Sequence, residues 1–207
     1  MTKQEQFEKE LSRITDIFFG ARENFEYCYY LHQPKSKYEA EYLHVDRDLQ
    51  FIRHSLWRLC IIELTQLFSN RESDKFNLQK LLSKLLSSGH YRRLFVNQEK
   101  IYEWQTMIHS QNHVINNIIT LRDKIYAHTD PDKDQYKQIE IYFREIVSLL
   151  EIVATIITDL HSSVLKRTLL LRNPVFDRNN FPLVRILAEE RDRRVSEITN
   201  LIKPYGG

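Results

Sequence analysis

The sequence predicts an all-α protein. Apolar residues recur at helical spacing over long stretches, and no stretch alternates apolar with polar residues as a strand would. Helix breakers are scarce: the 207 residues hold four glycines, two of them at the C-terminus, and prolines only at 34, 131, 174, 182 and 204. Long segments between those prolines therefore run without an obligatory break, and four long helices with short connections imply an up-down bundle.

The first helix is expected from Lys3 to Leu31, where Phe7, Leu11, Ile14, Phe18, Ala21 and Phe25 form one stripe. "HQPKSKYEAE" reads as a loop. The second helix, Val45 to Phe68, is apolar nearly all round in "LWRLCIIELTQLF", which suggests a central position. "SNRESDKFN" reads as a turn, and "NLQKLLSKLLSS" as an extra short amphipathic helix capped near Gly89. The third long helix covers Gln98 to Ala127 with a bend near His109–Asn112. The fourth, Asp134 to Leu171, carries Ile139, Phe143, Ile146, Leu150, Val153, Ile157, Leu160 and Val164 on one face. Past Pro174 and Pro182, "LVRILAEERDRRVSEITNLI" forms a charged helical appendage. The domain division that follows is a bundle over 1–173 and an extension over 174–207.

Composition sets bounds on function. Hydrophobic residues at 42% are enough for a folded core, and thirty basic against twenty-eight acidic side chains leave a formal charge of +2. That balance neither demands nor forbids a nucleic-acid partner. Cys28 and Cys60 are too few for a disulfide framework and sit in apolar runs, as buried thiols do. "MTKQEQFEKELSRI" is polar and charged, and Arg144, Glu145, Glu151 and Asp159 interrupt the most apolar stretch, so the expectation is a cytoplasmic protein with no membrane partner. No glycine-rich phosphate loop occurs, and no cofactor is expected.

"LRDKIYAHTDPD" at 121–132 raises the main question. Val114, Ile118, Leu121 and Ile125 make a buried stripe that His128 continues, while Arg122 belongs to the adjacent row. Six residues of ideal helix separate Arg122 from His128 by about 240° around the axis. They converge only if the helix ends or kinks first, which Pro131 and "TDPD" favour. One reading has Lys124 and His128 complementing the helix dipole and Arg122 in a surface ion pair. The other makes Arg122 and His128 half of an active site. Glu63, in the middle of the most apolar helix, needs a partner there; Arg122, Arg58 or another cation would serve.

"RDKIYAH" resembles the signature of the HEPN superfamily (higher eukaryotes and prokaryotes nucleotide-binding domains), an arginine, then four to six residues, then a histidine, with a polar residue usually after the arginine; the gap here is five. Asp123 fills that position here. "HSLWRLCIIELTQLFSNRESDKFNLQKLL" is similar to the abortive-infection branch, and the resemblance spans roughly residues 45 to 170, with no counterpart after Asn173. It implies a HEPN-type four-helix bundle that dimerises and acts as a metal-independent endoribonuclease in bacterial defence or a toxin-like system. Arg122 and His128 would carry the chemistry, with Asp123 and Glu63 in support. The implied partners are RNA, a second copy of the chain and an antitoxin protein. An inactive HEPN-like module that binds a nucleotide, RNA or a partner protein is the alternative, and a purely structural bundle is a third reading.

Cleavage by the ribose 2′-hydroxyl needs a base, an acid and positive charge on the phosphate. Histidine, with an ordinary pKa of about 6.5, serves as acid or base, and arginine offers a fork of donors to phosphate oxygens. A two-fold dimer would supply two of each. His109 and His113, four apart, could present two nitrogens to a metal, but no acidic residue or cysteine stands at ligand spacing, and no metal is expected. "FEYCYY" at 25–30 could stack bases, although helical packing explains it as well. The basic residues of "HYRRL" and of the stretch from Lys166 to Arg194 fit either an RNA surface or a solvated face.

Overall fold

A computed structural model describes residues 1–69, 71, 75–94, 96–126, 139–171 and 183–202, and among these every regular element is helical. The helices are α1 (Lys3–His32), α2 (Lys37–Val45), α3 (Arg47–Phe68), α4 (Leu78–Leu85), α5 (Gln98–Ser110), α6 (Asn112–Leu121), α7 (Phe143–Ser163) and α8 (Leu183–Ile202). A 3₁₀ turn (Arg92–Leu94) precedes α5, and a π-helical turn (Arg122–Tyr126) follows α6.

The chain packs as two units. One comprises the described residues of Met1–Asn24 and Arg58–Arg172, the other those of Phe25–Trp57 and Asn173–Gly207. The C-terminal helix expected to be an extension is thus part of a unit with chain from the N-terminal half.

In the first unit the stripe of α1 is buried as its spacing requires, with Phe7, Leu11, Ile14 and Phe18 almost wholly removed from water. Ile61, Leu64 and Leu67 of α3 and Ile118 of α6 join it. α3 and α6 run antiparallel, because Thr65 Oγ1 donates to the Ile118 carbonyl while Arg58 donates to that of Tyr126. α4 docks through Leu78, Leu81, Leu82 and Leu85. It is pinned to α1 by Glu10, whose buried carboxylate accepts from Lys84 Nζ at 2.6 Å and from Tyr91 Oη at 2.8 Å. Gly89 permits the close return behind α4: a Cβ there would lie 2.3 Å from the Lys84 carbonyl oxygen.

Three boundaries differ from expectation. α2 lies inside the stretch read as a loop. Ser36 accepts from the Glu39 amide at 3.1 Å as the N-cap, and Glu39 Oε2 takes the Lys35 amide just before it, so side-chain caps start the helix behind Pro34. α7 begins at Phe143, not Asp134, with Glu145 Oε2 accepting from the Tyr142 amide at 2.7 Å, so Ile139 is outside the helix. It ends at Ser163, not Leu171, because Lys166 enters the left-handed region at φ 55°. The expected bend is present at Gln111, whose φ of −101° and ψ of 11° separate α5 from α6.

α3 is less enclosed than its composition suggests. Phe51, Ile52 and Leu59 are exposed. By length and mean hydropathy (1.4), α7 could cross a membrane, but its inner face, including Ile146, Val153, Ile156 and Leu160, is core of the first unit. No other described helix is long and apolar enough.

The second unit has its own core of Leu31, Leu43, Leu49 and Val184, flanked by Tyr30, Tyr42, Leu56 and Leu187. The "FEYCYY" stretch contributes packing here: the Phe25 and Tyr29 rings stack at 5.9 Å, and burial pushes the Cys28 thiol up to about 12.

Candidate active site

The apolar stripe of α6, Val114, Ile115, Ile118 and Leu121, is buried, and the helix widens directly after it. The Arg122 amide donates to both Ile118 and Ile119 carbonyls, and Arg122–Tyr126 form a π-helical turn. Such single wide turns inside or at the end of α-helices are rare and recur at functional sites. The angular separation of an ideal helix therefore does not apply from Arg122 onward. His128 lies outside the described residues, as do Ala127 and the "TDPD" turn.

The Arg122 side chain is 14% exposed. Its Nε lies 2.6 Å from Asp123 Oδ1, a contact of opposite charges in which the N–H is not aligned on the oxygen. Its Nη2 is fully enclosed and has no hydrogen-bond partner. A buried guanidinium nitrogen without an acceptor is costly, since its desolvation is not repaid. Asp123 is shared: its Oδ2 pairs with Nη2 of Arg71, from the segment between α3 and α4. Two guanidiniums thus meet one carboxylate. At the far end of the π turn, Arg58 Nη2 donates to the Tyr126 carbonyl.

The structure brings Arg122 and Asp123 together and sets Glu63 in a different environment. Glu63 Oε2 accepts from Asn24 Nδ2 at 2.8 Å, and its carboxylate rests on Gly20, where a Cβ would come within 2.7 Å of Oε1. Burial pushes the Glu63 carboxyl above its ordinary value, Glu23 adds to the rise, and the Asn24 hydrogen bond opposes it. Glu63 thus supports the α1–α3 contact.

Sequence reasoning missed Arg71, because a lone arginine in "SNRESDKFN" carries no periodic or motif signal. Gly20 and Asn24 had one: a glycine and an asparagine one helical turn apart on α1 mark a place for a polar group from a neighbour. His109 and His113 fall on separate helices. Asn112 Nδ2 lies 2.7 Å from His109 Nδ1, and Asn117 Nδ2 lies 3.4 Å from His113 Nε2. Among the described residues, no group of three or more His, Cys, Asp or Glu side chains could hold a metal ion.

An all-helical module in which two arginines, Arg71 and Arg122, meet one carboxylate after α6 defines the class: a helical-bundle protein with a cationic cluster. The family model HEPN_AbiU2, described as AbiU2, matches residues 4–178, and the chain belongs to that family, within the abortive-infection-like branch of the HEPN superfamily. The match takes in α1 and reaches beyond Asn173, further at both ends than the resemblance carried by the motif. No curated protein and no solved structure matches the chain.

Proposed function

We propose that this protein is a metal-independent endoribonuclease of a bacterial defence or toxin-like system, acting at a composite site in a homodimer. The observation that carries the reading is Arg122: an enclosed guanidinium with one nitrogen unpartnered, at the end of α6, in a cluster where positive charge exceeds negative. A phosphate oxygen would supply the missing acceptor, and a fixed fork of donors acts most strongly where water is excluded.

In this reading Arg122 holds the scissile phosphate and neutralises charge that grows as the 2′-oxygen attacks. His128 takes the 2′-hydroxyl proton in one protomer, and His128 of the second copy protonates the departing 5′-oxygen. The products are a 2′,3′-cyclic phosphate and a free 5′-hydroxyl. One chain supplies one histidine of this kind, which is why the dimer belongs to the mechanism. Asp123 orients Arg122, and an antitoxin protein would restrain the activity in the cell.

The test is cleavage of mixed cellular RNA in EDTA by wild type, Arg122→Ala and His128→Ala, each checked for helical content and dimer mass. The expected result is cleavage by wild type and loss of roughly a hundredfold or more in both variants. Absence of cleavage by wild type, or cleavage that survives both substitutions, would refute the reading and leave a nucleotide- or RNA-binding module.

A further inference from the structure

Among the described residues Asp123 is the one carboxylate paired with Arg122, and it is the next residue in the chain. Its Oδ1 already lies 2.6 Å from Arg122 Nε. Arginine and carboxylate prefer a two-pronged pairing with parallel N–H···O bonds. A rotation of the carboxyl group, whose torsion is broad and two-fold, would bring Oδ2 onto Nη2. That closure would satisfy the buried nitrogen and remove it from any substrate. It does not occur, because Oδ2 is held by Arg71.

Arg71 is suited to that task. Its side chain is 51% exposed while that of Asp123 is 19% exposed, so the guanidinium reaches in from solvent to a more enclosed carboxylate. Its backbone is fixed nearby, with the amide donating to Ser69 Oγ at 3.4 Å and the carbonyl accepting from Lys80 Nζ.

We propose that Arg71 is a positioning residue: by retaining one oxygen of Asp123 it keeps that carboxylate from clamping Arg122 and leaves the Nη2 edge of Arg122 open to a phosphate of RNA. The proposal rests on the reading of Arg122 as a phosphate-binding group. It makes a claim that simple loss of a surface charge does not. Without Arg71, Asp123 turns from a support into a competitor, so neutralising Asp123 should repair the damage.

The test is fluorescence anisotropy with a labelled 2′-O-methyl RNA oligonucleotide, which binds but lacks the attacking hydroxyl, at one fixed salt concentration. Wild type, Arg122→Ala, Arg71→Ala, Arg71→Lys, Asp123→Asn and Arg71→Ala/Asp123→Asn are compared after their helical content and melting are shown to match. Arg122→Ala and Arg71→Ala should each weaken binding roughly tenfold, the loss expected for one charged hydrogen-bonding group. Arg71→Lys should recover part of it, because an ammonium can also hold one carboxylate oxygen. The double variant should bind within about threefold of Asp123→Asn alone, a coupling that independent sites do not show. A double variant no better than Arg71→Ala, or an Arg71→Ala protein that binds like wild type, overturns the proposal while Arg122 keeps its role. No binding by wild type, or binding unaffected by Arg122→Ala, overturns the reading of the site and the proposal with it.

Discussion

Glu63 offers the most discriminating stability experiment, because two arrangements of this carboxylate give opposite signs. In the structure it is half-buried, accepts one hydrogen bond from Asn24 Nδ2 at 2.8 Å and lies against Gly20. Glu63→Gln keeps shape and acceptor but removes the charge. What is lost is the extra strength of a charge-assisted over a neutral hydrogen bond, about 1 kcal/mol. What is gained is relief from desolvating a carboxylate beside Glu23, and the raised carboxyl value means this gain is the larger. Half exposure screens the difference, so the net gain stays below about 1 kcal/mol. For a chain of this length that is a Tm rise of no more than about 2–4 °C. Glu63→Ala removes the acceptor and strands the Asn24 amide, costing about 1–2 kcal/mol.

The sign of the pH dependence follows from linkage. The folded-state value of Glu63 is raised above the unfolded one, so the stability tied to this group is complete below the unfolded carboxyl range and is lost as pH rises through the raised value. Thermal melts of wild type and Glu63→Gln should therefore converge near pH 4 and separate toward pH 7, with the variant higher. A variant that melts lower at pH 7, with the gap closing in acid, would mean that Glu63 is ion-paired with a cation such as Arg122, and would refute the assignment to α1.

Gly89→Ala places a Cβ 2.3 Å from the Lys84 carbonyl oxygen and 2.6 Å from that of Ser83, both backbone atoms, so the end of α4 must shift. A cost of about 1–3 kcal/mol is expected, read as a lower urea midpoint with unchanged slope. His161 Nε2 lies 3.3 Å from Thr15 Oγ1, whose own hydrogen goes to the Leu11 carbonyl, so the ring is the donor. Burial and then Arg167 lower its value from 6.5, with Glu8 opposing. Its stability contribution is present above about pH 6.5 and lost as pH falls through the lowered value. Wild type should thus lose more Tm between pH 7.5 and 5 than His161→Gln, and equal losses would refute the role.

What the sequence made legible was whatever rests on periodicity. The α1 stripe from Phe7 to Phe25 is buried throughout because six apolar residues at helical spacing leave one solution. The bend at Gln111 was legible from the polar run around it. Helix ends were less so. The Ser36 N-cap that starts α2 was written in the sequence but sits close behind Pro34, where a turn is the stronger expectation. The end of α7 depends on a left-handed Lys166, and lysine carries no preference for that conformation. At the candidate site, Arg122 and Asp123 were legible because they belong to a local motif. Arg71 was not, because its place is set by the path of the chain after α3, a tertiary fact with no local cause.

Capping and catalysis were the two uses the sequence left open for the cations at the end of "LRDKIY", and the geometry separates them by nitrogen atom. A capping side chain aims an N–H at a carbonyl near the end of the helix. Arg58 does this from α3, with Nη2 on the Tyr126 oxygen. Arg122 does not: its Nε faces a carboxylate and its Nη2 faces no acceptor. With Arg58 donating to the carbonyl at the far end of the π turn, packing alone would favour an apolar side chain at 122, since an enclosed guanidinium with an open donor costs stability that a hydrocarbon would not. Replacing Arg122 with Met should therefore leave melting unchanged or raise it while weakening RNA binding roughly tenfold and cleavage roughly a hundredfold or more. A drop in Tm of more than about 4 °C, equivalent to roughly 1 kcal/mol or more for a chain of this size, would instead mark Arg122 as a structural residue and return the helix end to a capping role.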